Sequence, residues 1–227
     1  MTSNHTLTRI YLNPARRGGR KLILNPQAMH AAVRAAFPPD TDESRGRILW
    51  RLDHHEHAHT LYIVGPERPD VANIVEQAGW HTRPGQSADY GKFLDRLQRG
   101  QRWHFEVIVN PVISKSQGPG KRGKRVPLAS ADSQLQWLIR RSEENGFSLA
   151  TNDSTGAVDA RVIGRDTLNF QHGERKDTRS RVNIRSVRIE GTLEVTNAEK
   201  LRAALTNGIG RGRAYGCGLL TLARMGE

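Results

Sequence analysis

Apolar residues follow two alternating periodicities along the first half of the chain. A strand-like run around Ile10 is followed by helix-spaced apolar residues from Met29 to Phe37. Asn25-Pro26 predicts where that helix begins, because Asn caps helices well and Pro fits the first helical position. Two strand candidates follow, ILWRLDH and TLYIV, and then a second helix that Gly79 closes and a weak last strand. This half therefore reads βαββαβ.

The second half repeats that order. It contains the strand WHFEVIVNP, a helix over 131–147, the strands VDARVIG and SVRIEGTLEV, a last helix and the strand LLTLA. Thr196 and Glu199 predict a capping box at the start of the last helix, and Gly208 predicts its end. The pattern predicts an α+β fold of two tandem, RRM-like ferredoxin-like domains, with a glycine-rich loop before the last strand. We expect domains over 1–88 and 102–227, joined by a linker over 89–101.

The net charge of the chain indicates the kind of partner that it binds. Lys and Arg number 35 against 23 acidic residues, giving a formal net charge of +12 that arginine mostly carries. Such an excess favours a polyanionic partner, with nucleic acid first and a membrane surface or no phosphate partner as alternatives. The chain lacks a signal-peptide pattern and any long apolar span, so we expect no membrane association and a cytoplasmic protein. The single cysteine, Cys217, excludes an internal disulfide and a zinc site of paired thiolates.

One helix and one turn carry candidate chemistry. His30 lies beside the apolar stripe of the first helix, with Gln27 and Arg34 one turn away on either side. It can act as a general acid or base, and the alternative is a surface histidine without a role. The stretch DHHEHAHT at 53–60 is either a histidine metal site or, as we favour, the polar tip of a hairpin, because a turn scatters side-chain directions. The sequence therefore predicts no metal site.

Positive charge is concentrated in two basic loops and in the glycine-rich stretch NGIGRGRAYGCG. We expect all three to contact RNA or DNA, although a solvated charge run is the alternative for the two loops. The RNA-binding candidates are Lys115, Lys121, Arg122, Lys124 and Arg125 in the first loop, Arg175, Lys176, Arg179 and Arg181 in the second, and Gly210, Arg211, Gly212 and Arg213 in the glycine-rich stretch. That stretch matches neither common nucleotide-binding fingerprint, and a strand rather than a helix follows it, which argues against a dinucleotide enzyme.

These segments together resemble a known family. NPQAMH, FEVIVNP, GKRVPL, WLIRRSEENGF, EGTLEV and GIGRGRAYGCGLL, which cover both halves, are similar to motifs of the CRISPR repeat-processing endoribonucleases of type I-E systems, the CasE family within the repeat-associated RNA-binding superfamily. The resemblance implies that His30 is the catalytic histidine of a metal-independent cleavage in which the RNA 2′-hydroxyl attacks the adjacent phosphorus. Some members carry a tyrosine at the position of Gln27, which can still orient a phosphate oxygen by hydrogen bonding.

The resemblance also implies the substrate and the partners. The substrate is the repeat hairpin of the CRISPR precursor transcript, cut at the 3′ base of its stem to leave a 2′,3′-cyclic or 3′ phosphate, and no cofactor is needed. The basic loop at Arg175 matches a region that meets the RNA stem in this family. Members also stay on the mature guide RNA and join the other subunits of the surveillance complex. The alternative from another class is a noncatalytic RNA-binding subunit of the same fold.

Overall fold

The computed structural model describes residues 4–54, 59–118, 120–121, 123–152, 154–172 and 180–225, with the backbone alone for 171–172 and 180–182. It contains two ferredoxin-like domains in tandem. The first has an antiparallel sheet of strand order β2-β3-β1-β4, the order of this fold, built from β1 (Thr6–Leu12), β2 (Leu49–His54), β3 (His59–Gly65) and β4 (Gln86–Asp89). Its helices are α1 (Arg17–Leu24), α2 (Pro26–Ala35) and α3 (Ala72–Ala78).

Asn25 sets the start of α2 as the sequence predicts. Its side-chain oxygen accepts hydrogen bonds from the backbone N–H groups of Gln27, at 3.0 Å, and Ala28, at 3.1 Å. Helix α1 was not predicted, because its RGGRKLIL sequence has two glycines and a short apolar stretch. Gly19 is buried there against the backbone of residue 13, which leaves no room for a side chain. Close packing, not helix propensity, therefore explains α1.

In the residues that the structure describes, the second domain contains a five-stranded sheet and two α-helices. The path β11-β5-β10-β8, with β9 also paired to β10, is built from β5 (Arg102–Val109), β8 (Phe147–Leu149), β9 (Ala160–His172), β10 (Ser180–Val195) and β11 (Leu220–Ala223). The helices are α5 (Ala131–Ser142) and α6 (Ala198–Asn207). A separate hairpin joins β6 (Val112–Lys115) to β7 (Lys124–Pro127).

Three sequence-based boundaries in this domain are wrong. The helix predicted over 131–147 ends at Ser142, because Phe147 pairs with Val195 in the sheet and is buried in the core. Asn197, not Thr196, caps α6: its side chain accepts from the Lys200 N–H at 3.0 Å. The first basic loop, predicted over 114–125, is shorter than expected because its ends form the β6–β7 hairpin.

One apolar core runs from the second domain into the first. Leu49 and Val64 of the first sheet belong to the same cluster as Phe105 and Ile189 of the second. The predicted linker, residues 89–101, contains helix α4 (Tyr90–Asp95) and contributes Tyr90, Leu94 and Leu97 to that cluster. The chain between the sheets is thus packed, and the domain limits 1–88 and 102–227 stay a prediction. Within the described residues, no helix has the length and apolarity to cross a membrane.

Two arginines and two carboxylates hold the domains together; we call Arg51, Asp53, Glu106 and Arg188 the seam cluster. Arg51 of the first domain holds Asp53 through two 2.8 Å hydrogen bonds and also donates to the backbone oxygen of Glu106 across the interface. Arg188 of the second domain donates to Asp53 at 2.8 Å and pairs with Glu106. Burial by itself raises the pKa of Asp53, but the hydrogen bonds and charges of Arg51 and Arg188 lower it below its usual value. Each domain therefore inserts an arginine into the other.

Candidate active site

Helix α2 presents the predicted catalytic residues on a half-buried face. Met29 and Val33 are fully buried in the core, so His30, Gln27 and Arg34 lie beside them at the edge of the helix. Arg34 is already matched by a carboxylate, because its guanidinium lies 2.6 Å from Glu43. The structure thus brings the three residues to one flank but compensates the charge of Arg34.

The glycine-rich loop, residues 208–218, reaches across the domain boundary to this flank. Within it a 3-10 turn, Arg213–Tyr215, places the Tyr215 ring 6.3 Å from the His30 ring, centroid to centroid, with the planes inclined by 55°. Sequence reasoning missed Tyr215, and the only signal for it was an aromatic residue among the loop glycines. The glycine-rich loop therefore lies against the candidate catalytic helix.

Hydrogen bonds fix the shape of the loop. The Ile209 N–H donates to Gly218 O at 2.9 Å, and the Gly218 N–H donates to Ile108 O on β5 at 2.7 Å. Arg213, a predicted RNA ligand, donates to Gly208 O at 2.8 Å. Burial and the nearby Arg47 lower the pKa of Arg213, which still leaves it a cation at neutral pH. Arg213 therefore stabilises the loop from inside.

Two loop glycines make room for tryptophans. A Cβ on Gly210 would lie 2.7 Å from the Trp137 ring, and a Cβ on Gly216 would lie 2.7 Å from the Trp50 ring. Trp137 belongs to α5 and Trp50 to β2, so the loop is packed between the two domains. These contacts explain the two glycines by packing; that Gly210 and Gly212 also contact RNA remains a prediction.

A small groove of about 270 Å³ opens beside the loop on the second domain. We call it the basic groove; its walls include Asn110, Ser114, Arg125, Trp137, Arg141, Gly210 and Arg211. Arg211 and Arg125 are exposed, and the Arg141 guanidinium lies 4.0 Å above the centre of the Trp137 ring. Arg141 was missed by sequence reasoning, although the WLIRR segment places it one helical turn after Trp137. The groove joins the hairpin, α5 and the glycine-rich loop.

The hairpin β6–β7 carries more of the predicted cations. Lys115 lies directly opposite Lys124 in the strand register, and both are exposed. Like charges placed opposite each other destabilise a hairpin unless an anion lies near them. Lys121 is exposed in the turn between the strands. Arg122, Arg175, Lys176 and Arg179 lie outside the described residues, and for Arg181 the backbone alone is described, in β10.

Within the described part of the chain, two histidines of the histidine-rich stretch at 53–60 contact each other. His54 and His59 lie opposite each other at the ends of β2 and β3, with their Nδ1 atoms 3.0 Å apart. His55 and His57 lie outside the described residues. No group of three or more His, Cys, Asp or Glu side chains in the described ranges is placed to hold a metal ion.

A cavity of about 450 Å³ lies between the domains next to this site. Its walls come from the α1–α2 junction, β2, β9, β10 and the glycine-rich loop, and Tyr215 forms part of them. Tyr215 therefore lines this cavity and also lies beside the His30 ring.

Comparison with known proteins places the chain in a family. The model of a family described as CRISPR associated protein matches residues 7–224. The CRISPR-associated endoribonuclease Cse3 of Thermus thermophilus is 32% identical over 224 residues, which cover 96% of this chain and 99% of the relative. The CRISPR system Cascade subunit CasE of Escherichia coli K12 is 29% identical over 136 residues, covering 56% of this chain and 61% of the relative.

A solved structure extends the likeness to three dimensions. Thermus thermophilus Cse3 bound to an RNA representing a pre-cleavage complex superposes with a TM-score of 0.78 at 30% identity, over 97% of this chain and 99% of the other. The superposition therefore spans both ferredoxin-like domains. The chain belongs to the CRISPR-associated protein family that includes Cse3.

Proposed function

We propose that this protein is a metal-independent endoribonuclease that cuts CRISPR precursor RNA within the repeat, at the 3′ base of its hairpin. The observation that carries the proposal is the path of the glycine-rich loop: Arg211 lines the basic groove, and four residues later Tyr215 lies against His30. One rigid segment thus connects a phosphate-binding surface to a group suited to proton transfer. The similarity to an endoribonuclease, Cse3, supports the same activity.

The reaction uses the RNA as its own nucleophile. The 2′-hydroxyl at the cut attacks the adjacent phosphorus, its proton is removed, and the 5′-oxygen leaves as a hydroxyl after taking a proton. The product is a 2′,3′-cyclic phosphate, or the 3′ phosphate that follows its hydrolysis. His30 acts either as the base for the 2′-hydroxyl or as the acid for the 5′-oxygen, and an imidazole can serve in both roles near neutral pH.

Gln27 and Arg34 are proposed as helpers on the same flank of α2. The Gln27 amide orients a nonbridging phosphate oxygen by donating a hydrogen bond. Arg34 stabilises the negative charge that develops on the phosphate, but Glu43 already offsets part of its charge. His30 is therefore expected to contribute most of the rate.

The RNA stem is held by charge on the second domain. Arg125, Arg211 and the lysines of the β6–β7 hairpin face solvent, where they can contact phosphates along the stem. We extend this proposal to the basic residues around Arg175 that the structure does not describe. The names of two relatives support the partners: Cse3 has been solved with RNA, and CasE is a Cascade subunit. We propose that this protein also stays on the mature guide RNA within a type I-E surveillance complex in the cytoplasm.

The test is cleavage of repeat RNA in excess chelator by the wild-type protein and two histidine variants. We expect cleavage in chelator, none when the attacking 2′-hydroxyl is replaced by hydrogen, and a rate about 10²- to 10⁴-fold lower in His30→Ala. His81→Ala removes an exposed histidine of the same domain and should keep the wild-type rate. RNA affinity should be preserved in both variants.

Three results would contradict the proposal. Tight binding without cleavage by the wild-type protein identifies a noncatalytic RNA-binding subunit. Loss of cleavage in chelator identifies a metal-dependent nuclease instead. Wild-type cleavage by His30→Ala would move the chemistry away from α2.

A further inference from the structure

The aromatic contact between the two domains involves the candidate catalytic histidine. Tyr215 and His30 are both half-buried, and their rings lie 6.3 Å apart at an inclination of 55°. Tilted ring pairs with centroids 4.5–7 Å apart attract each other beyond simple burial. Helix α2, PQAMHAAVRA, has no Phe, Tyr or Trp, so its own sequence cannot supply such a neighbour. The Tyr215 ring therefore reaches His30 from the other domain.

Tyr215 is itself held by a second ring and through its backbone. The Phe170 ring of β9 lies 4.6 Å from the Tyr215 ring, inclined by 56°. Gly212 and Gly216 flank the 3-10 turn with φ of +80° and +79°, a left-handed conformation that favours glycine, and the Tyr215 N–H donates to Gly212 O at 2.8 Å. The tyrosine is therefore placed by the loop before any RNA binds.

A fixed neighbour matters for a group that transfers a proton. An imidazole on a half-exposed helix face rotates about two side-chain torsions, whereas proton transfer needs one nitrogen aimed at one oxygen. Packing one face of the imidazole against a rigid ring removes orientations that do not lead to reaction. Such an effect appears in the rate of the bound complex and leaves RNA affinity unchanged.

We propose that Tyr215 is the positioning residue of the active site, acting through its ring to orient the imidazole of His30. The assignment rests on the proposed nuclease function for its kinetic consequence, but the ring contact itself is independent of that function. It also gives the glycine-rich loop a role in the reaction besides RNA contact.

The kinetic test compares two substitutions of the same residue. Under single-turnover conditions with saturating protein, Tyr215→Leu should cut repeat RNA about 10- to 100-fold more slowly, as expected for a misplaced catalytic group. Tyr215→Phe keeps the ring and should stay within about 3-fold of the wild type, since a 3-fold change is under 1 kcal/mol. Tyr11→Leu is the matched control, because Tyr11 is a half-buried tyrosine whose ring lies against Arg9 and Arg83. The RNA affinity of all three should match that of the wild type.

A second measurement reads the histidine directly. In a proton–carbon NMR spectrum of the histidine Cε1–H groups, the His30 signal is identified by its loss in His30→Ala. Removing the ring current in Tyr215→Leu should move that signal, whereas Tyr215→Phe and Tyr11→Leu should leave it in place. No RNA is needed for this measurement.

The outcomes separate this inference from the proposed function. If wild-type protein does not cut RNA, the nuclease proposal fails while the NMR signal still tests the contact. If His30→Ala abolishes cleavage but Tyr215→Leu cuts at the wild-type rate, the positioning role is overturned. If Tyr215→Leu does not fold, Phe170→Leu decides: it keeps Tyr215 but removes its support, so a slower rate with unchanged RNA affinity is expected, and the wild-type rate would overturn the inference.

Discussion

The seam cluster and the basic groove both contain arginines, and they place them in opposite electrostatic settings. In the seam cluster, Arg51 and Arg188 meet Asp53 and Glu106, and the Arg51 side chain is only 3% exposed. In the basic groove, Arg125 and Arg211 are exposed, and no ion pair is described for either of them within the described residues. A buried arginine needs a carboxylate to offset the loss of water, whereas an exposed arginine stays hydrated and available to bind a phosphate.

Arginines of this protein therefore fall into two groups, those that stabilise the structure and those that remain available for binding. The net charge of +12 shows that the chain is basic but does not say which arginines are available. The compensated arginines join the two domains and so keep His30 beside Tyr215. The uncompensated ones form the surface that we propose binds RNA.

The largest expected effect is in the seam cluster. Asp53→Asn leaves Arg51 and Arg188 with one shared carboxylate, and removing one partner of a buried ion pair destabilises by about 3–5 kcal/mol. Urea denaturation measures this change in the free energy of unfolding. Glu194→Gln is the control, since its pair with Arg102 is exposed and should change stability by less than about 1 kcal/mol. Equal effects of the two substitutions would remove the distinction between buried and exposed arginines.

A smaller effect is expected in the basic groove. The double variant Arg125→Ala, Arg211→Ala should bind repeat RNA about 10- to 100-fold more weakly and reduce the slope of log affinity against log salt by about 2. The control is Arg102→Ala, which removes a cation that Glu194 already matches. Binding titrations at several salt concentrations measure both quantities. An unchanged salt slope in the double variant would place the RNA elsewhere on the surface.

The smallest expected effect is the pH dependence of the seam cluster. The folded protein holds the pKa of Asp53 below its usual value, so this carboxylate contributes stability above about pH 4 and loses it as the pH falls through the lowered pKa. The stability difference between wild type and Asp53→Asn should therefore be constant from about pH 7 to 5 and shrink in more acidic solution. Urea denaturation across this range measures it; a difference that grows on acidification would contradict the sign of the shift.

Periodicity predicted elements that carry a clear apolar pattern or cap in their own sequence. The Asn25 cap of α2, the end of α6 before Gly208 and the inward positions of β10, from Val187 to Val195, are all confirmed. Two short elements without such a pattern were missed. Helix α1 needs the backbone of residue 13 behind Gly19, and β8 needs Val195 opposite Phe147.

The candidate site shows the same division between features that the sequence predicts and features that only the structure shows. The sequence by itself determined the two βαββαβ units, the basic character and the flank of α2 that carries His30, because each depends on spacing or composition within one segment. Only the tertiary structure decided that Tyr215, 185 positions later in the chain, lies against His30. It also decided that Arg213 faces inward while Arg211 faces out. Finally, it decided that the charges of Arg51 and Arg188 are neutralised by carboxylates in the seam cluster. The physical reason is that the contacts of Tyr215, Arg51 and Arg188 join the two domains, and no local pattern records which surfaces of two separate sheets will meet.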